Sequence, residues 1–227
     1  MIARIEGFLG KTVDGKKSRI PAFQDRWQSI TGLILACFMI CHMIFTGTIL
    51  CGKGAFNGVV KFAEPFGLWW ITNLVAAVIF VAFVIHAFFA MRKFPANYKA
   101  YRAFKAHKVR IKHFDTTLWW FQFLTGFLLF FFASAHLITI ICGDRVTADA
   151  SIARFADLHL FYFVLLVFTV VHAAIGMYRL YVKWISIDGH SEEAKNFRKK
   201  VRNVIFAVWG FFFLVSVIAD FKWISLG

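Results

Sequence analysis

Five stretches of this chain, at about 27–50, 68–91, 118–142, 158–181 and 204–223, are apolar for long enough to cross a lipid bilayer. Crossing the hydrocarbon takes about 20 apolar residues in a helix. Backbone polar groups in lipid must be satisfied within the segment, so each stretch is predicted to be an α-helix. No proline falls inside any of them; Pro21, Pro65 and Pro95 lie in the connections, where helix breakers belong. The expected fold is therefore an all-α integral membrane protein of five transmembrane helices, forming a single membrane domain over 1–227. Composition agrees, at 60% hydrophobic and 17% charged residues, against about 45–50% and about 25% in soluble domains. Thirty phenylalanines and eight tryptophans suit lipid-facing surfaces and interfacial belts. Residues 1–26 are polar and basic and contain no apolar core of signal-peptide length, so the first span is expected to act as its own insertion signal.

Orientation follows from the basic residues. Of the 26 Lys and Arg, 21 fall in three segments on one side: the tail to Arg26, then 92–112, then 179–202. The opposite side carries Lys53, Lys61, Arg145, Arg154 and Lys222. Short basic loops stay cytoplasmic, so the N-terminus is expected inside and the C-terminus outside. The net charge of +14 is then a topology signal and not a nucleic-acid footprint. The basic inner face also suits anionic lipid or an acidic partner subunit.

An internal repeat organises the spans. Gln28, Thr31-Gly32 and His42 in the first span recur as Gln122, Thr125-Gly126 and His136 in the third, both as Q-x-x-T-G-x9-H. V-I-H-A-F-F-A-M at 84–91 in the second span is matched by V-V-H-A-A-I-G-M at 170–177 in the fourth. This predicts a four-helix bundle with approximate two-fold symmetry and a fifth helix outside it.

Four of the eight histidines, His42, His86, His136 and His172, lie within spans; His107, His113, His159 and His190 lie in connections or at span edges. Ionisable residues inside a membrane are costly and usually functional. At about 1.5 Å per residue, His42 lies about 21 Å and His136 about 28 Å from the inner starts of their spans. Counted from the outside, His86 lies about 28 Å and His172 about 21 Å along theirs. The histidines thus sort by depth into an outer pair, His42 with His136, and an inner pair, His86 with His172.

Paired imidazoles across a bundle suit six-coordinate haem iron, and with both axial positions filled the chemistry is one-electron transfer. Zinc needs three or four ligands together. Gly32, Gly126 and Gly176, with Ala133, Ser134, Ala135, Ala173 and Ala174, leave room for a porphyrin, as they would for close helix packing. Gln28, Ser29, Trp119 and Lys183 near the inner ends, and Arg154 in the outer connection, can donate to propionates or serve as interfacial anchors. The four cysteines form no CxxC pair, so no iron–sulfur or structural zinc site is expected. Cys51 and Cys142 fall near helix ends on one side, which leaves a disulfide open, although small buried cysteines are common in apolar helices.

These residues resemble the di-haem cytochrome b subunit of bacterial quinol:fumarate reductases and succinate dehydrogenases of the single-chain, five-helix type. The resemblance covers about 17–184 and rests on W-Q-S-I-T-G-L (27–33), H-A-F-F-A-M-R-K-F-P (86–95), D-T-T-L-W-W (115–120) and G-M-Y-R-L-Y-V-K-W (176–184). It implies two b haems held by His42, His136, His86 and His172. It also implies a menaquinone site near the outer haem, with Glu64 as the carboxylate that takes a proton from menaquinol. A flavoprotein subunit and an iron–sulfur subunit on the cytoplasmic face of a bacterial inner membrane are implied as partners. Electrons would run from menaquinol through both haems to fumarate, or in reverse from succinate. Some members carry a glutamate two residues before the fourth-helix ligand as a proton route; Val170 stands there in this chain, and spans one to four hold no carboxylate near mid-membrane. The chain has no flavin motif and no iron–sulfur cysteine run, so it is not expected to reduce fumarate alone. The alternatives are a cytochrome b anchor of a hydrogenase or formate dehydrogenase, and a haem-free anchor or transporter.

Overall fold

The computed structural model describes residues 20–95, 97–111, 113–185 and 191–227. Most of the basic N-terminal tail, Lys112 and His190 lie outside the described residues. Seven α-helices form among the described residues: α1 (Ile20–Gly47), α2 (Lys53–Ala63), α3 (Trp70–Met91), α4 (Tyr98–Ile111), α5 (Phe114–Ile141), α6 (Ala148–Trp184) and α7 (Glu192–Leu226). Five of them, α1, α3, α5, α6 and α7, are long and apolar enough to cross a membrane. The chain is an all-α, multi-pass membrane protein, as its hydropathy predicts.

Helix ends depart from the expected spans for identifiable reasons. Hydropathy marks the lipid-buried length, whereas helices continue until a cap stops them. The Thr147 side chain accepts from the Ala150 N–H and starts α6, and Ser191 accepts from Ala194 and starts α7. The 37 residues of α6 extend about 55 Å, well beyond the hydrocarbon. Residue 158, the expected start of that span, is where α6 bends: Leu158 has φ −125° and ψ 23°. Pro21 falls in the first turn of α1, where its missing N–H leaves no helical bond unmade. A short 3-10 turn, Pro65–Gly67, delays α3 to Trp70, and Phe66 within it holds φ 60°.

Four helices close a ring: α1 packs on α3, α3 on α5, α5 on α6 and α6 on α1. The fifth span, α7, lies outside, against α6 and α1. The described parts of the basic segments, Arg26, the residues from Arg92 to Arg110 and those from Arg179 to Arg202, lie at one end of this bundle, called here the basic end. At the far end, amphipathic α2 buries Phe56 and Val60 against Ile49, Ala148, Ile152, Ala219 and Trp223. Asn57 Oδ1 accepts from the Ala148 N–H at 2.8 Å, so α2 also caps α6. At the basic end, α4 lays Phe104 on Trp119 (ring centroids 4.6 Å apart) and Tyr101 on Trp120 (5.4 Å), an aromatic layer suited to the membrane interface. All four cysteines, Cys51 and Cys142 included, are free thiols.

Candidate functional site

The ring of helices does not close on itself at the centre. It encloses a mainly apolar cavity of about 1280 Å³ that runs the length of the bundle and is lined by His42, His86, His136 and His172. The pairs expected from depth meet across its diagonals. His42 on α1 faces His136 on α5 with ring centroids 6.1 Å apart. His86 on α3 faces His172 on α6 at 6.4 Å.

The repeated Q-x-x-T-G motif has a local function that its sequence alone does not reveal. The hydroxyl of Thr31 donates to the Trp27 carbonyl at 2.7 Å and lies 3.4 Å from His86 Nδ1. The same nitrogen lies 3.0 Å from the Gln28 carbonyl. In the second copy, His172 Nδ1 lies 3.1 Å from the Gln122 carbonyl and 3.2 Å from Thr125 Oγ1. A carbonyl only accepts, so Nδ1 carries the proton in both rings and Nε2 keeps its lone pair. This is how proteins fix the tautomer and orientation of a metal-binding histidine.

Gly32 and Gly126 complete the cradle. A Cβ at Gly32 would sit 2.9 Å from His86 Cε1, and one at Gly126 would sit 2.9 Å from His172 Cε1. Glycine is therefore required for the ring to approach the helix. From Thr31 to His42, and from Thr125 to His136, is eleven residues, close to three turns and about 16 Å. Each motif thus places its cradle and its own histidine on one helix face at two heights in the same cavity. Among the described residues the far-end pair has no such cradle: His136 Nδ1 is buried without a partner, and the Tyr162 ring lies edge-on to His136 at 5.7 Å.

The ring spacing can be tested against a six-coordinate metal. A metal–imidazole bond of about 2 Å, with about 1.1 Å more to the ring centre, separates two axial rings by roughly 6 Å. Both observed pairs match that spacing. Among the described residues no three His, Cys, Asp or Glu side chains come together, so ligation would be by pairs. The residues present therefore fit two irons, each between a pair of histidines, in mainly apolar surroundings.

The remaining expected residues divide by end. Gln28, Ser29, Trp119 and Lys183 all line the cavity at the basic end, and Arg154 lines it at the far end. Gln28 Oε1 is buried without a partner. Ser29 instead donates to its own helix at Asp25 O (2.7 Å). Lys183 Nζ reaches both Ser29 Oγ (3.4 Å) and Asp25 Oδ2 (3.2 Å). Sequence reading missed Asp25, which pairs with Arg92, with Lys93 at 2.9 Å and with Lys183. Burial pulls the Lys93 ammonium below its usual range, and the Asp25 carboxylate opposes that shift. Three cations around one carboxylate leave a net positive rim, suited to anionic groups. Asp25 lies two residues before W-Q-S-I-T-G-L, but nothing in the sequence signals that α6 and the turn after α3 deliver cations to it.

Glu64 lies beside the cavity and not among its lining residues. Proline at 65 disfavours helix at the preceding residue, so α2 ends at Ala63 and Glu64 turns inward. Its side chain is fully buried, and Oε2 accepts from Arg145 Nε at 3.0 Å and again from Nη2. Oε1 is buried without a partner. Val170, which stands two residues before His172, is buried among Ala36, Met43, Ala174 and Trp209.

The fold and site define a multi-pass membrane protein with two paired-histidine centres stacked along one bundle. Residues 99–218 match the family described as the succinate dehydrogenase/fumarate reductase transmembrane subunit. Two relatives carry the name fumarate reductase cytochrome b subunit. That of Wolinella succinogenes is 42% identical over 197 residues, covering 83% of this chain and 77% of the relative. That of Helicobacter pylori is 44% identical over 198 residues, covering 82% and 78%. The chain belongs to the succinate dehydrogenase/fumarate reductase transmembrane subunit family. That membership sets aside the hydrogenase, formate dehydrogenase and transporter alternatives, and the chain is the membrane subunit of a redox enzyme complex.

Proposed function

We propose that this chain is the di-haem cytochrome b subunit of a quinol:fumarate reductase, with His42 and His136 holding one haem b at the far end and His86 and His172 holding a second at the basic end. The observation that carries the reading is the diagonal pairing of four histidines at two heights in one cavity, two of them with Nδ1 tied to a carbonyl. When bound, the haems supply one-electron transfer between menaquinol at the far end and the iron–sulfur subunit at the basic end. The protein residues do the rest. Gln28, Gln122 and the two threonines orient the basic-end imidazoles, and Gly32 and Gly126 make room for them. Gln28, Trp119 and Lys183 at one end and Arg154 at the other receive the propionates.

Glu64 is the proton acceptor for menaquinol. Arg145 occupies Oε2 and leaves Oε1 as the open atom, which suits a general base. The basic end faces the bacterial cytoplasm by the distribution of Lys and Arg. There it anchors a flavoprotein subunit and the iron–sulfur subunit. Succinate oxidation would use the same residues in reverse; the names of the relatives favour fumarate reduction. The test is a pyridine haemochrome assay with menaquinol oxidation on the purified complex. Two haems per chain and quinol-dependent fumarate reduction are expected; a haem-free complex would refute the reading.

A further inference from the structure

Asp220 is the only carboxylate within the five spans expected from hydropathy. It sits on α7, the helix outside the repeat, so neither the haem pairs nor the repeat accounts for it. Its position is nonetheless part of the site. Asp220 lines the central cavity, as do Ser216 one turn before it and Trp223 one turn after. The neighbouring helix α6 contributes Ser151, Arg154 and Tyr162 to the same lining, and the Tyr162 ring meets His136.

Two further observations separate Asp220 from the other acidic groups. Asp25, Glu64 and Asp149 each pair with a cation, and Asp115 accepts from the Tyr178 hydroxyl. Asp220 Oδ2 is buried with no hydrogen-bond partner. An unpaired carboxylate in apolar surroundings costs free energy that packing does not repay, so such a group is retained for what it does. Its neighbours also matter. Ala219 and Trp223 belong to the same apolar cluster as Phe56 and Val60 of α2, and Glu64 follows Val60 by one turn. Two carboxylates, Glu64 fully buried and Asp220 half-buried, each with one buried oxygen that has no partner, therefore border one apolar cluster beside the far-end histidine pair.

We propose that Asp220 is a second proton acceptor of the quinol-oxidising site, an inference that rests on the function proposed above. Oxidation of a quinol breaks two O–H bonds and releases two electrons and two protons. The electrons leave along the redox path of the subunit. One proton bonds to Glu64 Oε1 and the other to Asp220 Oδ2, and both then pass to the aqueous phase at the far end. A single carboxylate would have to discharge one proton before taking the next; a pair accepts both within one turnover.

The experiment uses the purified complex with wild-type chain, Asp220→Asn, Asp220→Glu and Glu64→Gln, and dimethylnaphthoquinol as donor. Loss of a general base lowers turnover by about 10²-fold or more. Asp220→Asn is expected to lose that much kcat for quinol with both haems retained, and Asp220→Glu to recover most of it. A reduced-minus-oxidised infrared spectrum should contain a carboxyl C=O band that vanishes in Asp220→Asn and moves in Asp220→Glu. Wild-type turnover by a haem-replete Asp220→Asn complex overturns the inference. Should Asp220→Asn lose haem, the Asp220→Glu spectrum decides: a displaced band supports the assignment and an unmoved one overturns it. A complex that oxidises quinol, fails on Glu64→Gln and is indifferent to Asp220→Asn removes this inference alone. A wild-type complex without haem or quinol activity removes the functional reading and this inference with it.

Discussion

Replacing Gly126 by alanine adds one methyl group where the basic-end cradle has no space. The new Cβ would stand 2.9 Å from His172 Cε1 and 3.3 Å from Nδ1. Carbon atoms in contact prefer about 3.5–4.0 Å, so the ring must retreat by roughly 0.6 Å or more. It is held from doing so by Nδ1, which is bound to the Gln122 carbonyl and to Thr125 Oγ1. Overpacking of this kind costs about 1–3 kcal/mol. If that cost falls on the haem-bound geometry, retention of the basic-end haem weakens by about 5- to 150-fold, since 1.4 kcal/mol is a factor of ten. The sign is informative, because alanine in place of glycine inside a helix is ordinarily favourable by about 0.8–1 kcal/mol. Gly47→Ala is the control: its Cβ would meet only Val215 Cγ1, at an ordinary 3.9 Å. Haem per chain, measured by pyridine haemochrome through successive detergent washes, should fall from two towards one in Gly126→Ala and stay at two in Gly47→Ala. Two tightly held haems with an unaltered spectrum in Gly126→Ala would refute the cradle argument.

Other outcomes follow from the same geometry. His42→Ala or His136→Ala should remove the far-end haem and spare the other, and His86→Ala or His172→Ala the reverse; loss of both haems in every variant would show that the pairs are not independent centres. Thr125→Val deletes one hydrogen bond of about 0.5–1.5 kcal/mol and should shift the midpoint potential of the basic-end haem alone, with Thr125→Ser restoring it; an unmoved potential would deny the threonine its role. Glu64→Gln should lower quinol oxidation by about 10²–10⁴-fold with haem content unchanged, and a wild-type rate would remove Glu64 from the proton path. In intact cells, a membrane-impermeant thiol reagent should label Asp144→Cys and not Ala106→Cys, in a background where the native cysteines are serine; the opposite pattern would invert the assigned topology.

Periodicity in the sequence carried the architecture further than the chemistry. The five spans, the two-by-two repeat and the depths of His42, His136, His86 and His172 all follow from apolar length and helical rise. Both follow simple geometric rules that local sequence obeys. The extensions of α6 and α7 beyond the bilayer were not legible, because a cap such as Thr147 or Ser191 becomes decisive only once the helix behind it is built. The role of Thr31-Gly32 and Thr125-Gly126 was visible as a pattern but not as a mechanism. Each motif acts on a histidine of another helix, so its meaning depends on which helices are neighbours in the ring. The same applies to Asp25, whose cations come from α6 and from the turn after α3, and to Arg145, which reaches Glu64 from a connection 81 positions away. Long-range pairing of charges leaves no trace in spacing, and these were the residues that the sequence withheld.

The central claim is that the two histidine pairs hold two haems b, and the direct test is the haem-to-chain ratio of the purified complex by pyridine haemochrome. The account predicts two b haems per chain, one of them lost with either histidine of a pair. No haem, or two haems that survive loss of both His42 and His172, would contradict it.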